Sequence, residues 1–165
     1  MQIELRNSDV LTFEGDGIIV PTISEGQMVE GVAARIRALV GPSIEEEVTK
    51  HAPIAVGAAF VTAAGPLPVK HLIHVPLAEA VGMRIGIENI RRATRAGLLG
   101  ATKFGLERVA IPGMGYGELG VPHDEAARAM IDEALAYKGT HPSLVVFMDE
   151  DPDMWEALTE HTSSR

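Results

Sequence analysis

The chain has 165 residues, 46% of them hydrophobic and 22% charged, a balance typical of a globular protein with one hydrophobic core. It contains no cysteine, which excludes disulfides, thiolate metal ligands and a cysteine nucleophile. Its 23 acidic and 14 basic residues give a net charge of −9, which disfavours nonspecific binding to nucleic acid or anionic lipid because both need positive charge to neutralise phosphates.

The first residues alternate like a strand and lack the basic and then apolar pattern of a signal peptide. No apolar run approaches the roughly 20 residues that cross a bilayer. These features predict a cytoplasmic protein without membrane contact, folded as a single domain over residues 1–165.

Short apolar runs alternate along the chain with segments of helical periodicity. Six strands are predicted, at residues 2–5, 17–20, 58–63, 71–75, 108–111 and 144–148. Five helices are predicted: one over 32–40 that ends at Gly41-Pro42, one beginning at Ser43, one around 87–98, one from Pro122 to Gly139, and one that Asp151-Pro152 caps and that runs through Leu158. Ser43 and Glu46 have the spacing of a capping box, and residues 162–165 are expected to fray.

Strands that alternate with helices predict an α/β fold, in which helices cover both faces of a sheet. Ligands of such sheets bind beyond the carboxyl ends of the strands, and loops after Val20 and Ile111 lie there. The second loop, residues 112–122, is rich in glycine, which lets backbone N–H groups converge on a phosphate or another anion. A tight strand-to-helix turn without a ligand would use the same glycines, so the loop by itself leaves both interpretations open.

Segments along nearly the whole chain, in the right order, resemble the macro domain, a family that binds ADP-ribose. They are residues 7–10, 17–24, 56–62, 67–74 and the glycine loop 112–122, which matches the family's Pro-x-x-Gly-x-Gly-x-x-Gly-x-Pro pattern without a gap. The resemblance implies a three-layer α/β/α sandwich around a mixed, roughly six-stranded sheet. It also implies a crevice with adenine at one end, pyrophosphate in the middle and the distal ribose at the other end.

The resemblance assigns ligand contacts to individual residues. The Asp9 carboxylate would accept a hydrogen bond from the exocyclic amine of adenine, where guanine would present a second acceptor. The alternative for Asp9 is a turn residue that bonds its own backbone. The Val10 N–H would contact the adenine or its neighbouring phosphate. The other implied contacts are Ser24, Gly31 and Val32, and, around the pyrophosphate, Gly115, Tyr116, Gly117, Glu118 and Leu119.

The chain departs from the family where hydrolysis of ADP-ribosyl esters would take place. Pro21 and Ser24 stand where hydrolytic members carry asparagines that orient the distal ribose and a water. Leu119 stands where an aromatic residue often packs on that ribose. Glu30 and Glu118 would repel a pyrophosphate unless their side chains point outward. These departures predict weak catalysis or none.

Few titratable residues are available for chemistry at this site. Glu30 and Glu118 are weak candidates for a general base. His123, at the start of a helix, is expected to face solvent, and His74, inside an apolar strand, to be a hydrogen-bonded core residue. His71 and His74 fall on opposite faces of a strand and do not make a two-histidine metal site, and neither a metal nor a cofactor is expected.

Three functions remain open at this point. The first is a binding module for ADP-ribose or a related adenine nucleotide, free or attached to a protein, with weak or no hydrolysis. The second is an ADP-ribosyl-ester or O-acetyl-ADP-ribose hydrolase whose water-activating group has moved to Glu30 or Glu118. The third is a macro fold that has lost the nucleotide and acts as an interaction module.

Overall fold

A computed structural model describes residues 1–163, and a six-stranded sheet lies at its centre. The strands, numbered in chain order, are β1 (Gln2–Arg6), β2 (Gly15–Ile23), β3 (Phe60–Ala63), β4 (Val69–Ala78), β5 (Arg108–Pro112) and β6 (Leu144–Met148). They lie in the order β1-β6-β5-β2-β4-β3, and every neighbouring pair is parallel except β3 with β4. The mixed sheet confirms the predicted fold class.

Five α-helices in the described residues cover the two faces of the sheet. They are α1 (Gly31–Val40), α2 (Ser43–Lys50), α3 (Ile87–Phe104), α4 (His123–Ala136) and α5 (Pro152–Ser163), and a short 3-10 turn, Val10–Thr12, precedes β2. Neighbouring residues of a strand point to opposite faces, so each central strand contributes to two cores. Ile19 packs in the core with α3, α4 and α5, whereas Ile18 and Val20 pack in the core with α1 and α2. None of the helices in residues 1–163 is both long and apolar enough to cross a membrane.

The boundaries of α4 differ from the predicted ones. The helix ends at Ala136 rather than Gly139, because Tyr137 turns into an extended conformation and its hydroxyl bonds the hydroxyl of Thr102 on α3. At the other end, Pro122 lies one residue before the helix instead of at its first position. The early end of α4 at Ala136 has a tertiary cause, the contact between Tyr137 and Thr102, which helical periodicity cannot predict.

Two predictions about helix ends also need correction. The helix α2 begins at Ser43 as predicted, but Ser43 is already helical and no described side chain caps the helix, so the predicted capping box with Glu46 is wrong. Thr162 and Ser163, which were expected to fray, belong to α5, and their hydroxyls bond carbonyls one turn earlier. The rest of the segment expected to fray, residues 164 and 165, lies outside the described residues.

The carboxyl ends of five strands meet at one edge of the sheet, because β1, β6, β5, β2 and β4 are parallel. The strands β2 and β4 continue further toward this edge than predicted, to Ile23 and Ala78 rather than to Val20 and Val75. The loops after β2 and β5 both start here and run into α1 and α4. This edge is therefore where a ligand of the fold is expected.

Candidate ligand-binding crevice

A crevice of about 620 Å³ lies at the carboxyl edge of the sheet. Its walls come from the segments that follow β1, β2, β4, β5 and β6. Two strands, β5 and β2, separate β6 from β4. At about 4.8 Å per strand, the crevice spans roughly 14 Å from the turn after β6 to the loop after β4. Its volume lies in the usual range for small-molecule sites.

Asp9 is held in a fixed orientation in the wall that follows β1. Its Oδ1 accepts a hydrogen bond from the Leu11 N–H at 3.0 Å and so caps the 3-10 turn. Its Oδ2 lies 2.5 Å from Nη2 of Arg35 on α1. Asp9 is thus a turn aspartate that also lines the crevice. Arg35 was not predicted at the site, because helical spacing alone indicates only that it is exposed.

The glycine loop, residues 112–122, is anchored by one carboxylate in the turn after β6. Oδ2 of Asp149 accepts hydrogen bonds from the Gly113 N–H at 3.1 Å and the Tyr116 hydroxyl at 3.2 Å, and its Oδ1 accepts one from the Asp151 N–H at 2.8 Å. A Cβ at Gly113 would lie 2.5 Å from that Oδ2, so a larger residue would displace the carboxylate. Burial, helped by the charges of Asp149 and Asp151, raises the pKa of the Tyr116 hydroxyl, which therefore stays protonated and donates.

No side chain of residues 1–163 fills the crevice. Met28 is buried in the core with α1 and α2 and is not among the lining residues. Tyr116 lies along the wall with its ring against that of His123, the two centroids 4.5 Å apart. His123, expected to face solvent, is therefore half-buried instead. A hydrogen bond from the Ile85 N–H to the Leu119 carbonyl, at 2.7 Å, joins the glycine loop to the segment after β4.

Most of the predicted ligand-binding residues line the crevice. They are Asp9, Val10, Gly31, Val32, Gly115, Tyr116, Glu118 and Leu119. Ser24 and Gly117 are not among the lining residues. Ser24 is buried behind the wall, where its N–H bonds the Ala78 carbonyl and its own carbonyl accepts from the Ile54 N–H. Its backbone therefore joins the ends of β2 and β4, while its hydroxyl has no hydrogen-bond partner among the described residues.

The charges along the crevice are mostly negative. Among the described residues, its lining includes five carboxylates and one guanidinium: Asp9, Glu30, Glu118, Asp149 and Glu150, with Arg35. Asp9 and Asp149 have the partners described above, and Glu30 and Glu118 are exposed to solvent, which screens them. Within the described part of the chain no side chain caps the start of α1, so its first N–H groups are available to an anion.

Asp149 was also missed, although a signal for it existed. It follows the buried strand β6 directly, at the carboxyl edge where functional residues of such sheets gather. The residues after this strand were predicted only to cap α5. That cap is present, because Oδ1 of Asp151 accepts from the Asp153 and Met154 N–H groups at 2.9 and 3.0 Å.

One group of side chains in residues 1–163 has the chemistry of metal ligands. His123, Asp151 and Asp153 bring ligand atoms within 4.8 Å of one another. However, Asp151 is engaged by two N–H groups of α5, and the positive end of that helix opposes a cation. The arrangement is explained by capping of the helix.

His74 lies in the core, as predicted. It is fully buried, and its Nε2 is 2.9 Å from the Thr62 hydroxyl, while its Nδ1 has no hydrogen-bond partner among the described residues. Burial lowers the pKa of His74 to about 4, so the ring is neutral near pH 7.

The fold and the crevice define a class of α/β domains with an elongated crevice at the carboxyl edge of a mixed sheet. A family model described as "Macro domain" matches residues 21–130. An uncharacterized protein of Aquifex aeolicus is 41% identical over 157 residues, which cover 95% of each chain. The chain belongs to the macro domain family, whose members bind ADP-ribose.

Solved structures share this fold at low sequence identity. The Trypanosoma brucei macrodomain in complex with ADP-ribose has a TM-score of 0.84 and 22% identity, over 98% of this chain and 69% of that one. The Oceanobacillus iheyensis macrodomain with ADP has a TM-score of 0.83 and 16% identity, over 98% and 90% of the two chains. These likenesses establish the architecture of the chain.

Proposed function

We propose that the protein binds ADP-ribose, or a related adenine nucleotide, in the crevice, and hydrolyses esters of this ligand weakly or not at all. The ligand is either free or attached to a protein. The observation that carries the proposal is the Asp9 carboxylate, which is held in place by the Leu11 N–H in the wall of an open crevice. This carboxylate is an acceptor for the exocyclic amine of adenine. The Trypanosoma brucei macrodomain, which shares the fold, has ADP-ribose bound.

The start of α1 supports a pyrophosphate in the middle of the crevice. Gly31, Val32 and Ala33 form the first turn of this helix and line the crevice, and no side chain among residues 1–163 caps their N–H groups. Gly31 has a φ of +58°, and a Cβ there would meet nothing within 4 Å. The backbone is therefore bare on that side, and the partial positive charge of the helix end favours an anion.

Two positions support weak hydrolysis or none. Pro21 lines the crevice where a hydrolytic member would place an asparagine, and proline has neither a side-chain donor nor an N–H group. Ser24, at the second asparagine position, is buried behind the wall and its hydroxyl makes no hydrogen bond within residues 1–163. Neither residue can orient a water against the distal ribose.

The direct test is isothermal titration of ADP-ribose into the wild type and into Asp9→Ala. We expect binding to the wild type and an affinity at least about tenfold lower in the variant, because a charge-assisted hydrogen bond is lost. Asp16→Asn is the matched control, since Asp16 also accepts backbone hydrogen bonds, from Glu107 and Arg108, but lies outside the crevice. Absence of heat at high micromolar ADP-ribose would reject the proposal and leave the interaction module.

A hydrolase with a relocated base is the second candidate. One observation favours it: Glu30 and Glu118 both line the crevice, so either carboxylate can reach a water bound there. Turnover of O-acetyl-ADP-ribose by the wild type, lost in Glu30→Gln or Glu118→Gln, would establish this function. If the wild type binds ADP-ribose without turning over the ester, the binding module is the correct function.

A further inference from the structure

Three exposed apolar side chains line one end of the crevice. Val29, Met83 and Leu119 are 55%, 46% and 43% exposed, and all three are among the lining residues. They come from the segments after β2, β4 and β5, three strands that are neighbours in the sheet. The hydrogen bond from the Ile85 N–H to the Leu119 carbonyl holds the segment after β4 against the glycine loop. We call this part of the crevice the apolar end.

The chain around the end of β4 contributes apolar residues to the crevice and leaves its charged residues out. Glu79 and Arg84 are exposed and do not line the crevice. The residues of this part that do line it are apolar or glycine: Leu77, Ala78, Ala80, Gly82, Met83 and Ile85. The two aspartates of the crevice, Asp9 and Asp149, follow β1 and β6, which β5 and β2 separate from β4. The crevice is therefore charged at one end and apolar at the other.

The apolar end has the makings of a binding surface for an apolar group. Single exposed apolar residues are common on proteins, but here residues of three segments converge on one cleft. Small-molecule sites combine such a lining with a few polar groups that fix the orientation of the ligand. An apolar group placed there would leave water, and each methylene group that it buries would raise the affinity roughly fourfold.

The apolar end begins beside the position proposed for the pyrophosphate. Val29 lies just before Gly31, the first residue of α1, whose N–H no described side chain caps. An anion at the start of α1 therefore has the apolar end next to it. Glu30 and Glu118, each adjacent in sequence to a residue of the apolar end, are exposed carboxylates that line the crevice. They would repel a further anion there but not an uncharged group.

We propose that the apolar end binds a short aliphatic group that the nucleotide carries beyond its pyrophosphate. This inference rests on the proposed function and narrows the ligand to a class of adenine nucleotides. An aliphatic chain leaves no hydrogen bond unmade against Val29, Met83 and Leu119. The hydroxyl groups of a ribose would find no strong hydrogen-bond partner in these three side chains.

Isothermal titration of esters of ADP at its β-phosphate measures this preference. The methyl and hexyl esters carry the same charge and differ only in methylene groups, so electrostatic contributions cancel between them. ADP-ribose is an ester of the same kind, with ribose as the alcohol, and is titrated beside them. For the wild type we expect the hexyl ester to bind about 15-fold or more tightly than the methyl ester, the effect of two buried methylene groups.

Serine variants locate the hexyl group. Met83→Ser should lower the hexyl-to-methyl affinity ratio at least about threefold, and Val29→Ser combined with Met83→Ser should bring the ratio below about threefold. Val81→Ser is the matched control and should keep the ratio of the wild type, because Val81 is 54% exposed on the same segment but does not line the crevice. Circular dichroism melts establish that each variant is folded.

The outcomes separate this inference from the proposed function. If the wild type binds ADP-ribose and its hexyl-to-methyl ratio is below about threefold, the inference is refuted and the proposed function stands. An equal ratio in the wild type and the double variant would mean that the hexyl group binds elsewhere, which also refutes the inference. If the wild type binds neither ADP-ribose nor the esters, the proposed function fails and the inference fails with it. A ligand-free dimer in sedimentation that the double variant abolishes would assign the apolar end to a second copy of the chain and overturn the inference.

Discussion

The stability of this protein should fall on mild acidification, because His74 is costly to charge in the core. Its ring is fully buried on β4, with the Thr62 hydroxyl 2.9 Å from Nε2. Burial lowers the pKa of His74 from 6.5 to about 4. The folded protein therefore binds this proton more weakly than the unfolded chain does.

The sign and size of the effect follow from the two pKa values of His74. Above pH 6.5 the ring is neutral in both states, and its contribution to stability is fully present. Between pH 6.5 and about 4, the unfolded chain takes up the proton and the folded protein does not, so stability falls as the pH falls. A tenfold difference in proton affinity is worth about 1.4 kcal/mol, so about 2 kcal/mol is lost at pH 5 and about 3 kcal/mol once the loss is complete.

Urea unfolding of the wild type and of His74→Gln, at several pH values from 7.5 to 5.0, measures this effect. Glutamine does not titrate, so the free-energy difference between the two proteins isolates His74. Carboxylates titrate in both proteins and cancel, among them Glu45, whose pKa is lowered by a hydrogen bond from the Met28 N–H and by Arg37. The stability of the wild type relative to the variant should fall by about 2 kcal/mol over this range.

Thr62→Val separates burial from hydrogen bonding. This variant removes the hydroxyl beside His74 but leaves the ring in the core, so it should be less stable at every pH and keep the same pH dependence. A difference in unfolding free energy between the wild type and His74→Gln that stays constant within about 0.5 kcal/mol from pH 7.5 to 5.0 would show that burial does not lower the pKa of His74.

Three further predictions concern stability, the first of them a comparison of two glycine variants, and each is measured by urea unfolding. Gly115→Ala should cost about 2–4 kcal/mol, because the new Cβ would lie 2.4 Å from the Ile90 side chain at a φ of +75°. Gly105→Ala, with a φ of +65° and open space around it, should cost only about 1–2 kcal/mol, and equal losses would contradict the steric argument. Asp151→Ala should cost about 1 kcal/mol by removing the acceptor for two N–H groups of α5, and no loss would mean that water replaces this cap. Gly97→Ala should destabilise the protein by about 1–3 kcal/mol, although alanine favours a helix, because the new Cβ would lie 2.4 Å from the Ile19 side chain of β2. A variant as stable as the wild type would indicate that the core relaxes around the new methyl group.

Secondary structure was largely predictable because hydrophobic periodicity is local. The strand predicted at residues 144–148 coincides with β6, and the helix predicted to begin at Ser43 does begin there. Errors arose where a distant contact decides the boundary. The helix α4 stops before Tyr137, whose hydroxyl meets Thr102, a residue 35 positions earlier in the chain. No local pattern contains that contact.

The residues of the candidate site also fall into a group that was predicted from the sequence and a group that was not. The glycine loop 112–122 and Asp9 were predicted, the first because its residue types are unusual together and the second through the resemblance to a family. Arg35 and Asp149 were not predicted, because each acquires its role from a distant partner. Arg35 meets Asp9 across 26 positions of the chain, and Asp149 meets Gly113 across 36.

The alternation of strands and helices, the sheet edge at which a ligand is expected and the glycine-rich loop 112–122 follow from local sequence patterns. The grouping of charged residues at that edge, and the position of Ser24 behind its wall, depend on the tertiary structure. Both depend on the order of the strands, β1-β6-β5-β2-β4-β3, which brings together segments far apart in the chain. Ion pairs and hydrogen bonds between residues far apart in the chain follow from the strand order. Hydrophobic periodicity within one segment does not predict that order.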